Sequence, residues 1–156
     1  MFYKKTLLAV GPSVFALPTL IILAAAVAAP LGNGLLGYPT GERFYLFLSD
    51  ICHQFPTRSF WLFEHPLAIC ARCTGGYLGI TAGFIAVLLA KGPTGRNYLA
   101  MGAALFVTAV LEAYIGLSDG NIWRAFSGFV GGYGLMLLIS SASALFFVKL
   151  RLIPNH

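Results

Sequence analysis

The stretch CARCTGGYLGITAGFIAVLLA, residues 70–90, decides the fold. Its one charge, Arg72, sits at its start, and the rest is long enough for a hydrocarbon core that takes about 20 helical residues to cross. Three other runs share this character: Leu7–Ala29, Tyr98–Leu117 and Ile122–Val148. Around them the 156-residue chain is 58% hydrophobic and 10% charged, and its mean hydropathy is +0.83, well outside soluble globular usage. The expectation is an all-α, polytopic membrane protein: one membrane domain over residues 1–156, with four transmembrane helices and an interfacial helix in the loop at 30–69. So little chain remains outside the bilayer that an ordinary soluble enzyme, a DNA-binding module and a disordered hub are excluded.

The first run resembles a signal peptide, with Lys4 and Lys5 ahead of it and small residues at Ala24, Ala26 and Ala28. It is longer than the roughly 7–15 residues of a signal core, so it is read as a retained span, kinked at Pro12 and Pro18. Lys and Arg collect on cytoplasmic flanks. Lys4, Lys5, Lys91, Arg96, Lys149 and Arg151 all fall on one side, whereas Glu42, Asp50, Glu64 and Asp119 fall on the other. Both termini are therefore expected in the cytoplasm, with the long loop outside. The net charge of +5 sets topology and attracts lipid headgroups rather than nucleic acid.

Within that loop Thr40 is placed to cap a helix beginning near Glu42. Phe44, Phe47, Leu48 and Ile51 recur at helical spacing opposite Arg43 and Asp50, the pattern of a helix lying on the membrane. Pro56 is expected to end it within a residue or two, which puts Cys52, His53 and Gln54 at its C-terminal end. In the spans, Gly75, Gly79 and Gly83 form one small-residue ridge and Gly128 and Gly132 another, suited to close helix packing, in the bundle or in a homo-oligomer, the alternative being a site where a ligand approaches backbone. Arg72-x-x-x-Gly76-Tyr77-x-Gly79 also resembles Arg124-x-x-x-Gly128-Phe129-x-Gly131, as two parallel helical hairpins related by a quasi-twofold would.

All three cysteines lie close together in the sequence: Cys52-His53, then Cys70-Ala71-Arg72-Cys73. A Cys-x-x-Cys pair with a distant Cys and His is a tetrahedral Cys3His ligand set for zinc or another transition metal. Spacing alone does not choose between His53 and His65 as the fourth ligand. The competing chemistry is redox. A Cys-x-x-Cys at a helix N-terminus beside Arg72 has a depressed thiol pKa and suits disulfide exchange with a quinone or partner thiol. A small transporter or channel is a third reading, for which Glu112 alone is a meagre ion pathway.

The run Cys52-His53-Gln54-Phe55-Pro56-Thr57-Arg58-Ser59-Phe60, then Cys70-Ala71-Arg72-Cys73-Thr74-Gly75, resembles the signature of an uncharacterised family of small prokaryotic membrane proteins, a domain-of-unknown-function family. The resemblance extends to Asn121-x-x-Arg124 and the Gly128 ridge. It implies a multi-span fold and a shared Cys/His site but no established reaction. The family's pattern has an Asp near where this chain has Glu112, and it does not include His65, which favours His53 as the fourth ligand: Cys52, His53, Cys70 and Cys73.

Beside these thiols, Arg58, Arg72, Arg124, Asn121 and Glu112 would make a polar pocket, with Gln54 and Ser59 orienting it. Arginines there favour a small anionic or lipid-derived ligand. The bland alternative for Glu112 is a Glu–Arg ion pair between helices; the functional one is a general acid or base. Trp61 and Trp123 read as interfacial anchors.

Overall fold

The computed structural model describes residues 2–35, 41–89, 96–116 and 119–149. Among these, four helices contain segments long and apolar enough to cross a membrane. They are Leu17–Leu35 in α1 (Phe2–Leu35), all of α3 (Ala71–Leu89), Asn97–Ile115 in α4 (Arg96–Ile115) and Asn121–Phe146 in α5 (Asn121–Lys149). The intervening α2 (Glu42–Ser49) is a short helix in the long loop. The all-α polytopic expectation holds, and the ends of the spans move. The first was expected to stop at Ala29, but α1 runs on through the fully buried Pro30 to Leu35.

A proline inside a helix removes one N–H and frees the carbonyl four residues before it. For Pro30 that carbonyl belongs to Ala26, and the Ala68 N–H from the loop donates to it at 3.4 Å. Satisfying a freed carbonyl from a neighbouring segment is what makes proline tolerable in a spanning helix. The same bond moors the loop two residues before Cys70.

The glycine ridges explain the bundle's centre. A Cβ on Gly75 would lie 1.8 Å from the Ala125 carbonyl oxygen, and one on Gly79 would lie 2.1 Å from that of Phe129. In return, a Cβ on Gly128 or Gly132 would lie 2.1 or 2.0 Å from the carbonyl oxygen of Arg72 or Gly76. Residue numbers rise together along both helices, so α3 and α5 pack in parallel, backbone to backbone, as small-residue ridges permit. This parallel pairing is the arrangement the sequence repeat requires. Helix α4 joins α5 through a similar close approach, where a Cβ on Gly102 would lie 2.8 Å from the Gly134 carbonyl oxygen. Large apolar side chains such as Leu78, Ile85, Val107 and Leu111 face outward, as a lipid-contacting surface needs.

Helix α2 starts at Gly41, which makes no side-chain cap; Thr40, expected as the cap, lies outside the described residues. Glycine suits the position because a Cβ there would sit 2.2 Å from the Ala29 carbonyl of α1. The apolar stripe divides. Leu48 is fully buried with Ala25, Ala26, Ala29 and Cys52, whereas Phe44, Phe47 and Ile51 stay exposed. The helix ends at Ser49, well ahead of Pro56, which corrects the expected boundary. Pro56 instead opens a 3-10 turn, Pro56–Arg58, a start that its fixed φ favours. The turn away from α2 is made at Gln54, whose φ is 52°, while its side-chain Nε2 donates to the Tyr45 carbonyl at 2.8 Å.

One element was not anticipated. Trp61–Leu62 (β1) pairs antiparallel with His65–Pro66 (β2) across a turn in which Phe63 and Glu64 both have positive φ. Two left-handed residues are the signature of a tight hairpin, but it is usually written with Asn and Gly. The Tyr45 hydroxyl, donating to the Pro66 carbonyl, ties this hairpin to α2.

Candidate metal centre

Two separately anchored pieces of chain, the end of α2 and the start of α3, bring the cysteines together. Cys52 follows α2, with its N–H still donating to the Leu48 carbonyl at 3.0 Å, and it is 5% exposed. Cys70 caps the N-terminus of α3: its carbonyl accepts the Thr74 N–H at 2.9 Å and the Thr74 hydroxyl at 3.1 Å. Cys73 sits in the first turn of that helix. The fully buried Ala68, Ile69 and Ala71 fix the approach to this turn. As a result the three Sγ atoms lie within 4.8 Å of one another. The Cys70 N–H donates to Cys52 Sγ at 3.2 Å, so a backbone amide already orients that sulfur.

All three are free thiols. Hydrogen bonding from the Cys73 side chain holds the Cys70 thiol at about 5, against the opposing effect of burial and with further help from Cys52 and local amides. Three soft sulfur donors within one ion's reach fit a thiophilic metal such as zinc, which binds deprotonated cysteine.

His53 stands apart from the sulfur trio. Its exposed ring stacks on Phe55, with centroids 5.9 Å apart and planes 8° from parallel. His65, the other histidine considered, lies half-buried in β2. His53 does line a cavity of about 200 Å³ that opens beside the sulfurs. The same wall carries Cys52, Cys70, Cys73, Arg58, Arg72 and Arg124, and no Asp or Glu among the described residues lines it.

The other polar residues divide by task. Arg58 lies over the Phe55 ring at 5.6 Å. Arg72 pairs with Glu112 of α4 at 3.4 Å, an ion pair in which both side chains are only partly exposed. Glu112 therefore ties α3 to α4; it lines a different groove, of about 480 Å³, with Asp119 and Trp123. Arg124 donates to Asn121 Oδ1 at 3.3 Å, and Asn121 Nδ2 donates to the Ser59 carbonyl at 3.0 Å. Ser59 is fully buried and bonds the Phe55 carbonyl. Gln54, Ser59 and Asn121 thus fasten the loop and Arg124 rather than line the cavity. Trp61 and Trp123 are exposed near the same end of the bundle. Sequence reasoning missed the Ala26–Ala68 mooring, for which Pro30 followed by more apolar chain was the available signal.

Two curated relatives resemble the chain. An uncharacterized protein, MJ1492, of Methanocaldococcus jannaschii is 34% identical over 101 residues, covering 61% of this chain and 65% of that protein. An uncharacterized protein of Methanothermobacter thermautotrophicus is 28% identical over 92 residues, covering 56% of this chain and 83% of that protein. No solved structure matches. The family described as predicted membrane protein, DUF2085, matches residues 52–138, from the first cysteine of the cluster into α5, and the chain belongs to that family.

Proposed function

We propose that this membrane protein binds a transition metal, with zinc favoured, through Cys52, Cys70 and Cys73, and that the metal's fourth position faces the arginine-lined cavity. The observation that carries the reading is the meeting of three sulfurs within 4.8 Å from two distant parts of the chain. Such a metal clamps the loop onto α3 and presents a Lewis-acidic position to the cavity. Arg58, Arg72 and Arg124 orient a small anionic or lipid-derived ligand there by charge-assisted hydrogen bonds. The Lys and Arg distribution favours an extracytoplasmic site and cytoplasmic termini. Glu112 acts on this site through Arg72, as a positioning residue.

Elemental analysis of purified protein tests the proposal. Stoichiometric metal that disappears in Cys52→Ala, Cys70→Ala and Cys73→Ala supports it, and metal-free protein that binds anions normally contradicts it.

A second reading draws on the lowered Cys70 thiol. The Cys70 thiolate would attack a partner's disulfide, releasing one partner sulfur as a thiol, and Cys73 would displace the second to close Cys70–Cys73, with a quinol returning the two electrons. This reading requires the pair to cycle between dithiol and disulfide.

A further inference from the structure

The site has a second compartment that a small anion would not use. A cleft of about 280 Å³ runs between α3, α4 and α5, and it shares two wall residues, Arg72 and Cys73, with the arginine-lined cavity. Away from those two residues the cleft is mostly hydrocarbon and glycine, with Gly76, Ile80, Val110 and Leu135 in its walls and Tyr77 and Ser127 as its other polar residues. Val110 is 50% exposed, so the cleft reaches the lipid-facing side of the bundle.

Gly76 separates this cleft from ordinary helix packing. Its neighbours Gly75 and Gly79 are pressed against α5, where a Cβ would collide with backbone. A Cβ at Gly76 would meet only the Gly128 carbonyl, at 3.8 Å, an ordinary contact. Packing therefore does not call for glycine at 76, yet its bare backbone keeps the cleft open below Arg72.

We propose that the ligand of this site is an anionic lipid taken sideways from the bilayer, with its headgroup among Arg58, Arg72 and Arg124 and one hydrocarbon tail in the α3–α4–α5 cleft. The inference rests on the anion-binding part of the function proposed above and adds the ligand's class and entry route. Charge complementarity chooses the headgroup. Three guanidinium groups, one of them paired with Glu112, leave a cationic cavity that repels the cationic end of a zwitterionic headgroup. Apolar walls choose the tail. A hydrocarbon-lined cleft open to a bilayer fills with chains, and because the tail gains little by leaving lipid for protein, selectivity comes from the headgroup. Inorganic phosphate shares the headgroup chemistry without the tail, so it separates the two sources.

The test uses full-length protein in phosphatidylcholine nanodiscs. Photoreactive phosphatidic acid carrying its reactive group in the acyl chain is compared with photoreactive phosphatidylcholine of the same chain, and adducts are mapped by mass spectrometry. The proposal expects phosphatidic acid to label the cleft at Ile80 and Leu135 about tenfold more than phosphatidylcholine, a difference of roughly 1.4 kcal/mol. The excess should vanish in Arg58→Gln/Arg124→Gln and on adding inorganic phosphate. Val110→Trp, or Gly76→Leu from the opposite wall, should abolish cleft labelling while leaving dialysis-measured binding of inorganic phosphate intact. Equal cleft labelling by both lipids, or labelling confined to outward residues such as Leu78 and Ile85, overturns the proposal. If phosphate still binds in an arginine-dependent way in that case, the anion site stands and only the lipid assignment falls. Loss of both phosphate and phosphatidic acid binding overturns the anion reading as well.

Discussion

The Cys70 backbone N–H points at Cys52 Sγ from 3.2 Å, joining the end of the loop helix to the start of α3 across eighteen residues of sequence. The bond does for this sulfur what outer hydrogen bonds do for metal-bound residues: it fixes the sulfur's direction. Because Cys52 is buried beside Leu48 and Ala68, its removal costs both packing and that amide's partner. Cys52→Ala is expected to destabilise even the metal-free protein, by about 1–3 kcal/mol, measured by chemical unfolding in detergent.

The glycines of α3 give a contrast within one turn. Gly79→Ala forces a methyl onto the Phe129 carbonyl, whereas Gly76→Ala meets nothing closer than 3.8 Å. Thermal unfolding is expected to show a loss of about 1–3 kcal/mol for Gly79→Ala and less than about 0.5 kcal/mol for Gly76→Ala. Equal losses would mean that α3 and α5 do not approach along this ridge.

Hydropathy alone made four spans legible, since uninterrupted apolar runs of that length have no common soluble explanation. The cysteine cluster was legible because few purposes gather every cysteine of a chain into two short motifs. What escaped the sequence depended on partners. Pro30 looks like an end until Ala68 is seen satisfying the carbonyl it frees. Phe63 and Glu64 carry no turn signature, so the hairpin at 61–66 was invisible. Gln54, Ser59 and Asn121 looked like pocket residues by their polarity, but their bonds go to the loop backbone and to Arg124. The apolar cleft arises only when three helices meet, which no single run of sequence records.

His53 lies outside the sulfur trio with its ring on Phe55, so three thiolates are expected to carry the affinity. His53→Ala should retain stoichiometric metal, with affinity within about tenfold of the unmodified protein in a chelator competition; loss of a protein ligand would cost far more. Complete loss of metal would show that the imidazole swings in as a fourth ligand.

In metal-free protein the Cys70 thiol, normally near 9.0, is held at about 5. A depressed folded value means the stabilisation is complete above about pH 9 and drains away as pH falls towards 5. Alkylation of Cys70 should therefore rise to a plateau just above pH 5, and the metal-free fold should weaken through the same window on acidification. A rate that keeps climbing to pH 9 would show that the Cys73 hydrogen bond does not hold the thiolate.

The most direct test of the metal assignment is the mass of the protein after rapid alkylation in native membranes, repeated after chelation. The metal reading predicts that Cys52, Cys70 and Cys73 are reduced but protected at first, and that all three become alkylated once a chelator has removed the ion. A Cys70–Cys73 disulfide in the untreated membrane, opened by a quinol or partner thiol, would contradict it and establish the exchange reaction instead.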